Sequence, residues 1–365
     1  MELVTKTIRE LVKGIGRHVR LMEVCGTHTV AIFRHGIRDL LPDGVTLLSG
    51  PGCPVCVTSI RDVDTILAIA AMPDVIVTTF GDMMRVPGNK KSLFQARAEG
   101  RDVRIVYSPL DALAVAENSP GRKIVFFATG FETTSPLVAG TLAEAERKGV
   151  RNFHVYSVHK TVPPALRALL DSHEVTLDGF ILPGHVSTII GVKPYCFIAD
   201  EYSKPGVITG FDAHDILTGI MMLLKQIASG RGVIENEYKK VVREEGNTRA
   251  VALLEEFFEP RDAYWRGIGM IPGSGLRLRE KYGHRDIERV YDIPEVEGEE
   301  PKSCSCGDVL RGVKIPTDCV LFGRACTPEK PVGACMVSTE GSCAAYYKYG
   351  MASKDEGPGF MRSRC

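Results

Sequence analysis

Leu47–Cys56, LLSGPGCPVC, is the stretch from which the rest of the chain can be read. A short apolar run supplies core residues and opens into a turn of Gly, Pro and Cys. Glycine lets the backbone turn tightly or approach a neighbouring group, and proline stiffens the loop. Cys53 and Cys56 therefore sit on a rigid loop just past a strand end, where sites form in open α/β sheets. Some two dozen residues earlier, Leu21–Thr29, LMEVCGTHT, does the same: an apolar run opening into Cys and Gly. The parallel predicts that Cys25, Cys53 and Cys56 meet above one sheet.

The whole chain sets the bounds. Its 365 residues suit two or three domains with substantial cores. With 44% hydrophobic and 25% charged residues it reads as a globular protein, and its 45 acidic and 45 basic residues give no field to draw nucleic acid or an anionic membrane. The first residues, MELVTKTIRELVKG, are amphipathic and lack the apolar stretch and cleavage site of a signal peptide. No stretch approaches the ~20 apolar residues of a membrane span. The expectation is a cytoplasmic protein. Eleven cysteines are many for such a chain, and an odd number leaves one unpaired. In a reducing compartment thiols bind metal, do redox work or lie buried as small hydrophobes. Three fall in the first 56 residues, Cys196 stands alone, and seven follow Pro301. Separate chemical modules are implied.

Outward from the decisive stretch, strand–loop–helix order repeats. Strands are predicted over Val19–Val24, Val45–Ser49, Asp74–Thr79 and Val103–Tyr107, with a helix over Thr58–Ala71 from its periodicity (Ile60, Val63, Ile66, Leu67, Ala70). Asn118-Ser119-Pro120-Gly121 reads as a boundary. The pattern then restarts with the apolar strand Lys123–Ala128, followed by strands at Phe153–Ser157, Gly179–Leu182 and Val207–Gly210 and a helix over Ala213–Ala228. From Gly230 the rhythm fades: helices at Tyr238–Val242 and Arg249–Phe258, an extended Trp265–Ile271, and a turn at Pro272-Gly273-Ser274-Gly275. The predicted class is α/β, with two tandem, mostly parallel-sheet domains (1–118 and 119–229) and a smaller cysteine-rich C-terminal domain (230–365).

The tail dictates its own chemistry. Cys304, Cys319, Cys326 and Cys343 are separated by 14, 6 and 16 residues, far enough for the chain to wrap an inorganic centre. Soft thiolates suit an iron–sulfur cluster or zinc, but the spacing is neither that of bacterial ferredoxins nor of paired CxxC zinc knuckles. A cluster, a structural zinc, and unligated or disulfide-bonded cysteines stay open. Cys306 and Cys335 are surplus to four ligands, either a redox dithiol or buried small residues. Cys365 is read as a terminal thiol without a role.

The front offers several reactive groups. Cys53 and Cys56 form a CxxC, able to bind metal or to cycle between dithiol and disulfide. Cys25 with His28 has the composition of a nucleophile–base pair, while a structural histidine accounts for His28 equally well. Thr129–Pro136, TGFETTSP, follows the most apolar strand. There Glu132 can accept a proton or orient a ligand, unless the segment serves only to cap a helix through Thr133, Thr134 or Ser135. His159 and Lys160 would bring positive charge to an interdomain cleft, and Arg85, in a polar loop, would hold an anion or a partner's carboxylate.

CGTHT at 25–29, GPGCPVC at 50–56, TGFETT at 129–134 and the spacing of the four tail cysteines together resemble the HypD family, maturation factors of nickel–iron hydrogenases. The resemblance covers essentially the whole chain. It implies two α/β domains and a smaller domain holding a [4Fe-4S] cluster on Cys304, Cys319, Cys326 and Cys343. It further implies work with a HypC-type small iron chaperone and a HypE-type cyanide donor, making an Fe(CN)2(CO) unit for the hydrogenase large subunit. Cys25 then corresponds to the family's essential cysteine, a ligand of the transient iron that carries cyanide and carbon monoxide. Cys53 and Cys56 correspond to its thiol–disulfide or ligand pair. The alternatives are a cluster-linked thiol–disulfide oxidoreductase using Cys53 and Cys56, or a zinc-stabilised scaffold.

Overall fold

The computed structural model describes residues 1–296 and 298–350; Cys365 lies outside them. Eleven strands are formed among these residues: β1 Val19–Glu23, β2 Val45–Ser49, β3 Val75–Thr79, β4 Val103–Ile105, β5 Lys123–Ala128, β6 Phe153–Ser157, β7 Gly179–Pro183, β8 Gly206–Thr209, β9 Ile234–Asn236, β10 Phe258–Trp265 and β11 Gly269–Leu278. The first nine build two parallel sheets, ordered β2-β1-β7-β8-β9 and β4-β3-β5-β6. Their strands read as nearly unbroken apolar runs because helices cover both faces. All five residues of β3, β6 and β7 are buried. The α/β class is as expected from the strand–helix rhythm.

The sheets do not follow the order of the chain. The five-stranded sheet takes β1 and β2 from the front and β7 to β9 from much later, and the four-stranded sheet is built from the segment between them. Residue 118 therefore falls within the four-stranded sheet's own segment, between β4 and β5. Parallel pairing demands a long crossover, and here the crossover from β2 to β7 contains a whole sheet. In the larger sheet, Leu21 of β1 is in register with Leu47 on one side and Gly179 on the other. The connections run outward in opposite directions from β1 and β7. That reversal opens a crevice at the strands' carboxyl ends, where Cys25 follows β1 and Gly184-His185 follows β7.

Local signals explain the helices. Helix Ile60–Ala71 starts in a capping box: the Asp62 amide donates to Ser59 Oγ (3.1 Å) and the Ser59 amide to Asp62 Oδ2 (3.2 Å). It buries Ile60, Val63, Ile66, Ile69 and Ala70, the stripe expected from sequence apart from Ile69 in place of Leu67. Helix Glu2–Ile15 lays Ile8 against Ile216, Leu217 and Ile220 of helix Ala213–Ala228.

Beyond residue 230 the structure departs from the sequence reading. Tyr238–Val242 is a turn rather than a helix, and Pro272-Gly273-Ser274-Gly275 lies inside β11 rather than at a turn. β10 and β11 form one antiparallel hairpin, with a register shift between Arg261 and Ala263 that accommodates its Pro- and Gly-rich composition. The hairpin is the joint of the molecule. Trp265 is fully buried, bridges Thr58, stacks on Phe131 (centroids 6.0 Å apart) and donates Nε1–H to Ser274 Oγ at 2.8 Å. It thereby ties the loop after Cys56 to the loop after β5. The cysteine-rich region follows as short turns, with helices Cys306–Leu310 and Ser342–Ala345 and no β-sheet strand among its described residues.

Trp265→Ala should remove this joint and cost about 3–5 kcal/mol, read by chemical denaturation followed by circular dichroism. A loss below about 1 kcal/mol would show that the hairpin does not hold the two loops together.

Candidate functional site

Cys25 is the residue where β1 ends and helix Gly26–Arg34 begins. Its extended backbone (φ −155°, ψ 129°) turns the thiol back over the helix start. Burial pushes that thiol up to about 11 and the Glu340 carboxylate adds to the shift, while the Thr27 hydroxyl and the Thr27 and His28 amides pull the other way. The free protein thus holds a neutral thiol beneath a set of donors that would welcome a sulfur anion. A cation that displaces the proton would find them in place.

Two glycines let other chain segments come this close. A Cβ on Gly52 would sit 2.4 Å from the Cys25 amide nitrogen, and one on Gly26 would sit 2.4 Å from the Glu340 carbonyl oxygen. The Gly26 amide donates to Gly52 O at 3.0 Å. Thr27 Oγ1 donates to Glu340 Oε1 at 2.8 Å. Glu340, from the cysteine-rich region, therefore packs directly on the Cys25 loop. Nothing in its local sequence, STEGS, marks it out.

Cys53 and Cys56 are joined as a disulfide, Cα to Cα 5.3 Å. Both are sealed in the core, 3% and 0% exposed. The short helix between them, Pro54–Val57, packs on the turn Ala334–Met336, which carries Cys335. Cys306 and Cys335 are themselves buried with their sulfurs 2.7 Å apart. Cys53, Cys56, Cys306 and Cys335 share one hydrophobic core, against which Cys304 and Cys343 also pack. The surplus pair of the tail is thus the link between the front and the back of the site.

Cys304, Cys319, Cys326 and Cys343 line one hollow together with Cys306, Cys335, Val309, Leu321, Phe322 and Met336. The structure brings the four predicted ligands to one place. Among the described residues no three His, Cys, Asp or Glu side chains are arranged to clasp a single metal ion. The donor set suits a cluster in other respects. Burial opposes ionisation of Cys319, yet amides of Ser305, Leu321 and Phe322 and the Ser305 hydroxyl bring its thiol below the ordinary value. Cys326 Sγ accepts from the Val332 amide at 3.3 Å. Gly333 clears the way for sulfur, since a Cβ there would meet Cys304 Sγ at 2.8 Å. Soft thiolates, amide donors to sulfur and an apolar lining are what an iron–sulfur cluster needs.

The remaining predicted residues divide. His28 is fully buried; its Nε2–H donates to Gly210 O at 2.9 Å, beside Thr209 Oγ1, and burial pushes the ring down to about 4. It stays neutral and clamps the end of β8, which is the structural alternative. Glu132 is buried at the carboxyl end of β5, and its Oε1 accepts the Val162 amide at the start of helix Val162–Ser172 (2.9 Å). None of Thr133, Thr134 and Ser135 caps the helix Ser135–Lys148 as expected: Thr134 makes no capping bond and Ser135 Oγ donates back to Phe131 O. Glu132 Oε2 is buried without a partner, and burial pushes the carboxyl up to about 7. Lys160 is buried against Asp62 (3.5 Å) and His159 is held neutral by burial. Neither adds free positive charge to the cleft. Arg85 is exposed and donates to the Pro328 carbonyl, so the polar loop fastens the cysteine-rich region. Between that loop and the Cys25 loop lies a groove of about 680 Å³ lined by Thr27, Val30, Arg85, Glu340, Tyr347 and Tyr349.

The HypD family model, described as "Hydrogenase formation hypA family", matches residues 1–350. The chain is 50% identical over 343 residues to the hydrogenase maturation factor HypD of Rhodobacter capsulatus, covering 93% of this chain and 91% of that one. It is 47% identical to a putative hydrogenase expression/formation protein of Methanocaldococcus jannaschii (94% and 95% covered) and 46% identical to HypD of Cupriavidus necator (93% and 95%).

The buried Glu132 gives a signed pH effect. Its folded value of about 7 lies above the ordinary 4.5, so between the two the folded chain keeps a proton that the unfolded chain loses. The stability Glu132 contributes is present below 4.5 and lost as pH rises towards 7. Glu132→Gln has no such loss. Its stability relative to the unsubstituted protein should climb by about 3 kcal/mol from pH 4.5 to 7, measured by urea denaturation at each pH. A difference that does not change with pH would show that Glu132 is ionised in the fold.

Proposed function

The chain belongs to the HypD family of hydrogenase maturation factors, and from that premise we propose that it is the scaffold on which the Fe(CN)2(CO) unit of the hydrogenase active site is assembled. The observation that carries the proposal is the convergence of three cysteine sets. The Cys25 loop abuts the loop that leads into Cys53, and the helix between Cys53 and Cys56 packs on the turn bearing Cys335. Cys306 and Cys335 line the same hollow as the four tail cysteines.

In this reading Cys25 binds the incoming iron, which is cargo rather than a resident cofactor. The Thr27 and His28 amides and the Thr27 hydroxyl hold the thiolate once iron has displaced the proton. A HypC-type chaperone delivers the iron into the groove beside Cys25, between Arg85, Glu340 and the tyrosines. A HypE-type partner presents cyanide as a thiocyanate. Releasing it requires two electrons and one proton, giving a thiol and a cyanide ion. A Cys53/Cys56 dithiol supplies both electrons as it closes to the disulfide, and one proton is left over. Exchange with Cys306/Cys335 restores the dithiol, because a thiolate of one pair attacks the sulfur of the other. Cys304, Cys319, Cys326 and Cys343 would hold a [4Fe-4S] cluster, whose chemistry there is the supply of electrons one at a time.

Balanced charge and the absence, among the described residues, of any helix long and apolar enough to cross a membrane suit a cytoplasmic protein-to-protein role.

The test is infrared spectroscopy of the anaerobic complex with the HypC-type chaperone, read in the cyanide and carbon monoxide stretching region, with iron and acid-labile sulfide measured on the same sample. Cys25→Ala should lose the bands and keep about four iron and four sulfide per chain, the content of one cluster. Cys319→Ala should lose the sulfide. Bands of full intensity in Cys25→Ala would overturn the role of Cys25, and zinc without sulfide would overturn the cluster.

A further inference from the structure

The chemistry assigned to Cys53 and Cys56 raises a problem of protons. Reducing a disulfide to two thiols takes up two electrons and two protons, and oxidation returns them. The electrons arrive through thiol–disulfide exchange with Cys306/Cys335, whose two thiols release two protons as they close, so the exchange balances overall; each broken S–S bond still leaves a thiolate to which a released proton must be carried. Cys53 and Cys56 are 3% and 0% exposed, so bulk water does not touch them. A thiolate left unprotonated in such a site would be a poor leaving group and a costly buried charge.

We propose that Glu132 is the proton carrier of the Cys53–Cys56 couple, giving a proton to the leaving sulfur on reduction and taking it back on oxidation. The inference rests on the redox role proposed above for that pair. Glu132 is 4% exposed, and only one of its two carboxyl oxygens is occupied by the Val162 amide. Support of helix Val162–Ser172 explains that oxygen and leaves Oε2 with no partner. A buried polar atom without a partner is costly, and a proton that comes and goes accounts for it.

The neighbourhood connects Glu132 to the front cysteines. Its neighbour Phe131 stacks on Trp265, which bridges Thr58, two residues past Cys56. Phe131, Trp265, Cys53 and Cys56 lie in one core. From the other side the fully buried Tyr195 phenol lies within electrostatic reach of both Glu132 and Cys25, and Cys25 abuts Gly52. Tyr195 can therefore relay a proton between Glu132 and the paired loops. Ser187 Oγ gives its single proton to the Pro183 carbonyl at 2.7 Å, so at 3.4 Å it accepts from the Tyr195 hydroxyl through a long, readily exchanged contact. The groups facing Glu132 are the Val162 amide and the Tyr195 phenol, with Cys25 beyond Tyr195. No charged side chain contributes to the rise of its carboxyl, and burial alone drives it to about 7. A carboxyl in that range can exchange a proton at neutral pH.

The test uses the full chain, purified anaerobically with its iron. Reduced methyl viologen, which delivers electrons without having to touch the buried sulfurs, is added across about pH 5 to 9, the reaction is stopped by alkylation under denaturing conditions, and Cys53 and Cys56 thiols are counted by peptide mass spectrometry. The ratio of rates between the unsubstituted protein and Glu132→Gln cancels any pH dependence of the reductant. That ratio should bend near pH 7, with Glu132→Gln slower on the order of 10²-fold where the carboxyl acts as acid. Glu132→Asp should restore the bend. A flat ratio near one overturns the proposal while leaving the redox pair intact; a disulfide that is not reduced in the unsubstituted protein at any pH overturns the redox reading itself. A second readout needs no variant: the infrared difference spectrum between disulfide and dithiol forms should show a carboxylic acid C=O band that changes with reduction and shifts in deuterium oxide. No such band would overturn the proposal.

Discussion

Three stretches of backbone pass within contact of one another at Cys25, and the rest of the structure follows from their having to do so. Gly52 touches the Cys25 amide and Gly26 touches the Glu340 carbonyl, each at a distance that no side chain could occupy. Glycine is the one residue that permits such contact. The five-stranded sheet supplies the first two stretches by setting β1 beside β2 in register, so that the loops after them leave side by side. The cysteine-rich region supplies the third and is itself held by Thr27 and Arg85. With little regular structure of its own, it folds onto the two sheets rather than beside them.

Burial decides the chemistry of the enclosed groups. Cys25 is kept protonated, His28 neutral, and Glu132 poised near neutrality, all chiefly because a charge in the core is not solvated. The same enclosure keeps bulk water from the Cys53–Cys56 disulfide and from Cys25. It also demands internal partners for every electron and proton. Cys306/Cys335 answers the first need in this account, and Glu132 the second.

Much of this was legible in the sequence. The apolar strands opening into CGTHT and GPGCPVC pointed both to the parallel α/β class and to the Cys25 loop lying against Gly52 of the loop that leads into Cys53, because sites in such sheets gather at strand ends. The spacing of the four tail cysteines foretold one hollow. Strand order was not legible: nothing local in β2 or β7 says that four other strands intervene between partners of one sheet. The β10–β11 hairpin was missed because Pro272-Gly273-Ser274-Gly275 carries turn composition, while a register shift lets those residues stay in a strand. Glu340 and Tyr195 were missed for a different reason. Glu340 packs on Gly26 and Tyr195 lies within electrostatic reach of Glu132, each from far along the chain, and their own surroundings in the sequence carry no signal. His28 looked like a base beside a nucleophile, but helix geometry turns its ring towards Gly210.

The central claim is that the front disulfide and the tail pair form one exchanging system. Trapping their mixed disulfide tests it most directly. In a Cys56→Ser/Cys306→Ser chain neither Cys53 nor Cys335 keeps the partner that would resolve a mixed disulfide, and diamide supplies the two-electron oxidation that joins them where their sulfurs meet. Non-reducing peptide mapping should then recover Cys53 covalently joined to Cys335, and the link should vanish on treatment with dithiothreitol. Recovery of Cys53 and Cys335 only as free thiols after diamide treatment would contradict the account and leave the two pairs as separate structural features.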